Sequence, residues 1–199
     1  MKKRWFIVNL FLFGWIILSG SVMAQSIYSA KLDASSVVWI GKKVTGEHTG
    51  EIALKMGELE MDGELIKSGK FEIDMKSITN TDLKQSNQSK KLVNHLKSDD
   101  FFAVEEYPTA RFVVKGAKKL HGNTYQIKGD MTIKGITHPL VFTVVLHKQE
   151  GEMHVEAKMV VDRAKYNVRY GSDSFFSNLG NRMIYDDFDL NVKLILESR

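Results

Sequence analysis

The stretch TYQIKGDMTIKGITHPLVFTVVLHKQEGEMHVEAKMVVD, residues 124–162, decides the fold. Its apolar side chains return at every second position in three successive runs. Tyr125, Ile127, Gly129, Met131, Ile133 and Gly135 alternate with Gln126, Lys128, Asp130, Thr132 and Lys134. Leu140, Phe142, Val144 and Leu146 share the next face. Met153, Val155, Ala157 and Met159 share the third, opposite Glu152, His154, Glu156 and Lys158. A period of two belongs to a strand with one dry and one wet face. The turn signal Glu150-Gly151-Glu152 stands between the second run and the third, and so short a spacing implies antiparallel neighbours joined by a hairpin.

The same alternation continues on both sides of this stretch. Phe71, Ile73 and Met75 share a face in KFEIDMKSI (70–78), and Phe188, Leu190, Val192, Leu194 and Leu196 share one in DFDLNVKLILE (187–197). Further strands are expected over 35–44, 48–55, 58–62 and 110–120. Turns are expected at Met61-Asp62-Gly63, Lys67-Ser68-Gly69 and His121-Gly122-Asn123, with Pro108 and Pro139 at strand starts. About eight strands, each with one apolar face, must close into a barrel or fold into a sandwich to bury that face and limit open edges. The fold class is therefore all-β and antiparallel. One segment departs from the pattern: residues 82–96 place Leu92, Val93 and Leu96 at helical spacing, which predicts a short helix ending near Lys97-Ser98.

The first 24 residues, MKKRWFIVNLFLFGWIILSGSVMA, join a cationic start to an apolar run and end in small residues at the cleavage positions, the pattern of a secretory signal peptide. An uncleaved anchor is the alternative, although the run is short for a full span. Residues 25–199 then form one domain of an exported protein, periplasmic or secreted. Three of the 28 basic residues lie in the leader, leaving 25 against 24 acids. A near-neutral domain lacks the concentrated basic face that nucleic-acid binding requires. The chain has no cysteine, which excludes disulfides, thiolate metal sites and thiol catalysis. The six histidines are scattered without metal-ligand spacing, and His48, between Gly46 and Gly50, is assigned a structural hydrogen bond. No nucleophile elbow or paired-carboxylate site stands out, so neither an enzyme, a cofactor nor a metal is expected.

Several blocks resemble the YceI-like family. They are WIGKKVTGEHTGEI (39–52), GKFEIDMKSI (69–78), HLKSDDFFAVEEYPTARF (95–112), IKGDMTIKGITHPLVF (127–142), DRAKYNVRYGS (162–172) and DDFDLNVKL (186–194), in the family's order. One departure is visible: Asn167 follows Tyr166 where the family has glycine, although asparagine tolerates positive φ better than most residues. The resemblance implies a lipocalin-like β-barrel that binds a lipid or polyisoprenoid, such as an isoprenoid quinone, as carrier or reservoir. It implies an apolar ligand as partner and is compatible with transient membrane contact and with a homodimer.

The ligand-binding candidates that follow are Phe71, Ile73, Phe101, Phe102, Phe112, Met131, Ile133, Phe142, Met159, Arg163, Tyr166, Phe175 and Phe176. An eight-stranded barrel is wide enough to be filled by side chains or to hold one small ligand. Gly129, Gly135 and Ala157 leave room inside, or else the glycines mark bends in a solid core. Phe101-Phe102 lies between acidic pairs and forms either a lid over the interior or a core plug. Phe175-Phe176 either flanks the same mouth or plugs the core in its turn. Arg163, Arg169 and Tyr166 suit a pyrophosphate head, unless Arg163 pairs structurally with Asp162 or a neighbouring acid. The rivals to a lipid carrier are a lipid-modifying enzyme working inside the barrel and an envelope interaction module with a filled core.

Overall fold

The computed structural model describes residues 25–199; the segment 1–24, expected to be a signal peptide, lies outside the described residues. The strands are β1 (Gln25–Ala30), β2 (Ser36–Lys43), β3 (Gly46–Ile52), β4 (Leu54–Asp62), β5 (Leu65–Asp74), β6 (Thr109–His121), β7 (Thr124–Ile133), β8 (Ile136–Gln149), β9 (Glu152–Asp162) and β10 (Ile184–Ser198). The helix α1 spans Ser86–Lys97. From β4 to β10 each strand pairs with the next in the chain, and β1 closes the ring by pairing with both β4 and β10.

These segments make eight staves. β1 and β2 lie end to end along one edge of β10, with Tyr28 opposite Ser198 and Ser36 opposite Lys193. β3 and β4 follow them as a second bent stave, β3 against β2 and β4 against β1. The break between β1 and β2 is bridged by a side chain: Ser35 Oγ accepts from Ile195 N at 3.2 Å and donates to Lys31 O at 2.7 Å. Ile195 O in turn accepts from Lys31 N at 2.8 Å, so both backbone groups of Ile195 are bonded across the break.

Several local expectations are corrected. β1 is an additional strand. Lys67-Ser68-Gly69 is no turn: the chain passes through it as part of β5, with a register shift between Glu60 and Met61 of β4. Met75 leaves the strand and is buried in a 3-10 turn, Met75–Ser77, capped by Asp74. Gly135 does not face the interior: with Lys134 it forms the β7–β8 turn at positive φ, which glycine adopts without strain. Pro139 lies inside β8 rather than at its start. The helix begins later than expected and ends where the spacing predicted, at Ser98, whose backbone N–H bonds the carbonyls of Asn94 and His95.

Packing differs between the two ends. At one end the chain makes tight turns, and Tyr28, Met61, Ile66, Tyr125, Met153 and Leu196 are buried together. At the other end emerge the two long connections, residues 75–108 with α1 and residues 163–183. Along β10 the inward Leu194 and Leu196 are buried, while Val192, Leu190 and Phe188 remain partly accessible. Along β8, Val144 and Leu146 are buried, while Phe142 and Leu140 are partly accessible. Side chains that point inward yet keep accessible surface must line a hollow, so the barrel is packed below and open inside above.

Candidate functional site

The hollow is a cavity of about 250 Å³. Its wall carries the inward residues of the staves, among them Phe71, Ile73, Phe112, Met131, Ile133, Phe142, Met159, Phe188, Leu190 and Val192. Leu92, His95 and Leu96 of α1 and the pair Phe101-Phe102 line it from the end where the connections emerge. Among the described residues, no carboxylate lines it.

Gly129 does not add to the space. A Cβ there would lie 2.3 Å from Phe112 Cζ and 2.5 Å from Val113 O, so the glycine exists to seat the Phe112 ring. Phe112 in turn packs on Phe142 with ring centres 5.2 Å apart.

The connection 98–108 is built as a rigid piece. Phe101 N donates to Ser98 O, Phe102 N to Leu96 O, Ala103 N to Ser98 O and Val104 N to Lys97 O. The backbone therefore curls back on the end of α1 and turns both rings toward the barrel, with Ala103 in the left-handed region at φ 48°. Lys134 Nζ donates to Phe101 O at 3.0 Å and ties the loop to the β7–β8 turn. Phe101 is buried and meets His95 at 5.6 Å and Phe102 at 5.1 Å between ring centres. Phe102 is half-buried.

The start of the 75–108 connection is fixed to β2 and β3. Trp39 Nε1 donates to Thr79 O at 3.1 Å, and its indole lies so close over Gly50 that a Cβ there would sit 2.6 Å from the ring. Asp82 accepts from Thr49 N at 2.9 Å, and its other oxygen is 2.9 Å from His48 Nδ1. Burial pushes the Asp82 carboxyl up, but the hydrogen bonds from His48, Thr49 N and Asn80 outweigh it and hold its pKa below the usual value. The Trp-x-Gly and Gly-x-His-x-Gly segments thus clamp the strand pair to the chain that leads into α1. His48, expected to make a structural hydrogen bond, makes one and also reaches the cavity lining.

The remaining candidates lie elsewhere. Arg163 borders the cavity but its guanidinium is committed: Nε donates to Tyr185 O at 3.1 Å, Nη1 to Val168 O at 2.7 Å and Nη2 to Ile184 O at 2.8 Å. Of the two expected structural partners, Asp162 or a neighbouring acid, it is the neighbouring acid Asp186 that lies beside it, at 3.3 Å, while Asp162 caps Ala164 N. Tyr166 is buried behind the wall with its ring edge-on to His138, and burial raises its pKa. Asn167 occupies the left-handed region at φ 59°, as its place after Tyr166 requires. Phe175 and Phe176 do not line the cavity; both are exposed on the outside of the 163–183 connection. Trp39, Leu92, His95, Leu96, Phe188, Leu190 and Val192 join the site although they were not candidates. Alternation marks the last three as inward and helical spacing marks Leu92 and Leu96. Alternation with Val37 and Gly41 marks Trp39, and the i+3 spacing from Leu92 marks His95.

The sequence profile described as the YceI-like domain matches residues 28–196. A UPF0312 protein of Photorhabdus laumondii is 40% identical over 52 residues, which is 26% of this chain and 27% of that protein. A UPF0312 protein of Pseudomonas putida F1 is 30% identical over 86 residues, 43% of this chain and 42% of that one. The matched part thus spans less than half the length of these relatives. Among solved structures, Burkholderia cenocepacia BcnA superposes with a TM-score of 0.69 at 21% identity, over 83% of this chain and 98% of that one. A polyisoprenoid binding domain from Saccharophagus degradans, implicated in plant cell wall breakdown, superposes at 0.63 with 14% identity, over 86% and 98%. At these identities the structures establish a shared fold.

Proposed function

The chain belongs to the YceI-like family, and from that premise we propose that it binds one lipid or polyisoprenoid chain in its apolar cavity and serves, after export, as a carrier or reservoir in the cell envelope. The observation that carries this reading is the partly accessible inner wall formed by Phe142, Met159, Phe188, Leu190 and Val192. Unfilled apolar surface inside a barrel is what a hydrocarbon guest covers. Each methylene moved from water to such a wall contributes about 0.8 kcal/mol before ordering costs. An isoprene unit of five carbons thus contributes about 4 kcal/mol, so about four units offset even the upper end of the roughly 4–15 kcal/mol lost on association. The fold neighbour from Saccharophagus degradans, a polyisoprenoid binding domain, supports the ligand class.

Native mass spectrometry with lipid extraction, on protein purified from its own host, is the test. An apolar molecule should co-purify in one-to-one ratio, and repeated empty spectra would sink the proposal. Phe102→Asp should speed loss of that molecule at least about tenfold, because a charge then faces the apolar chain, with the β-sheet circular dichroism unchanged. Phe175→Asp, outside the cavity, should leave retention as it is.

A further inference from the structure

Among the described residues, every exposed Phe, Tyr or Trp side chain falls within residues 170–185: Tyr170, Phe175, Phe176 and Tyr185. The other described Phe, Tyr and Trp side chains are buried or half-buried. Phe176 is 49% exposed and Phe175 39%. Val44, at the tip of the β2–β3 hairpin, is also exposed, and its N–H donates to Met183 O, so the hairpin tip adjoins this surface. The surface adjoins the cavity lining. Tyr170 packs edge-on against cavity-lining His95 with centres 4.3 Å apart, and Ile184, which lines the cavity, donates its N–H to Gly171 O.

Cations accompany these rings. Arg169 stacks on Phe175 at 4.9 Å and donates to Asn167 Oδ1. Arg169, Arg182 and Lys134 line a surface cleft with Tyr170 and Phe176, facing Asp99 and Asp100. Among the described residues, none of these three cations forms an ion pair. Exposed aromatics beside unpaired arginines match a membrane interface, where rings sit at the level of the headgroups and guanidinium binds phosphate.

We propose that the 169–182 connection docks on an anionic phospholipid surface, with Phe175 and Phe176 entering the headgroup layer and Arg169 and Arg182 holding its phosphates, so that the cavity mouth faces the lipid. This rests on the reading of the cavity as a lipid site: a guest that leaves a membrane must not cross water, and the exposed aromatics stand at the end where the cavity is lined by α1. Docking and cavity filling are nevertheless read by separate measurements.

The experiment is co-sedimentation of the purified protein with vesicles of phosphatidylcholine alone and of phosphatidylcholine mixed with phosphatidylglycerol, at low and high salt. Expected is partitioning onto the mixed vesicles at least about tenfold above the neutral ones, weakened by salt. Phe175→Ser with Phe176→Ser, and separately Arg169→Gln with Arg182→Gln, should each lower it about tenfold or more. These side chains are exposed, so the circular dichroism and the retained apolar molecule should not change. Equal binding to both vesicle types, variants that bind like the parent, or no binding at all overturns the docking face. So does a dimer in solution that the phenylalanine variants dissociate without any vesicle binding, since the face would then serve self-association. Empty cavities with intact docking would count against the carrier reading alone.

Discussion

Arg163 shows how much one residue can organise. Three backbone carbonyls from two segments converge on its guanidinium, and Asp186 sits beside it. Only a planar fork with donors in several directions can serve all of them at once. Burial lowers the Arg163 pKa, and the nearby Asp186, Asp162 and Asp173 raise it against that trend. Ser174 Oγ donates to the second oxygen of Asp186, which completes the charge cage. Arg163→Met should therefore destabilise the fold by about 3–5 kcal/mol, seen as a lower urea midpoint. Arg163→Lys should recover only part of it. A loss below about 1 kcal/mol would mean that the carbonyls find water instead.

The elements divide into a barrel that needs only its own staves and a helical connection that needs anchors. α1 has no side-chain N-cap and carries few apolar residues, so its place depends on the clamp at His48, Thr49 and Asp82. The folded-state pKa of Asp82 is depressed. Its contribution is therefore fully present above the ordinary aspartate value, about 3.9, and is lost as pH falls through the depressed one. Asp82→Asn should lower the melting temperature by about 2–4 °C near neutral pH. The gap between parent and variant should close as the medium is acidified below roughly pH 4. A constant gap down to acid pH would show that the carboxylate charge plays no part in holding α1.

At the scale of the molecule, the barrel is packed at the end of the tight turns, around Tyr28, Met61, Tyr125, Met153 and Leu196, and hollow above it, the cavity reaching down to Ile66 and Leu146. In a solid core a larger side chain costs about 1–3 kcal/mol; in a hollow it fills space. Met159→Trp should thus leave the urea midpoint of ligand-free protein unchanged or raised, while the co-purifying apolar molecule is lost. A midpoint lowered by the overpacking amount would show that the upper half is already full.

The primary structure by itself determined the antiparallel all-β architecture, because a period of two, repeated between glycine turns over residues 124–162, admits no other secondary structure. It determined most of the inward set for the same reason: Phe71, Ile73, Phe112, Met131, Ile133, Phe142 and Met159 face the cavity as alternation dictates. It also placed the helix, whose end at Ser98 is local chemistry. Only the tertiary structure decided the rest. Whether Gly129 makes room or receives a ring depends on Phe112, seventeen positions earlier in the chain but beside it on the neighbouring strand. Whether Phe175-Phe176 plugs the core or faces outward depends on how the 163–183 connection wraps around Arg163. Whether the interior is solid or hollow depends on how the staves taper as they close. Alternation states which way a side chain points. What it meets there is set by chain segments far apart in sequence, and only closure of the barrel brings them together.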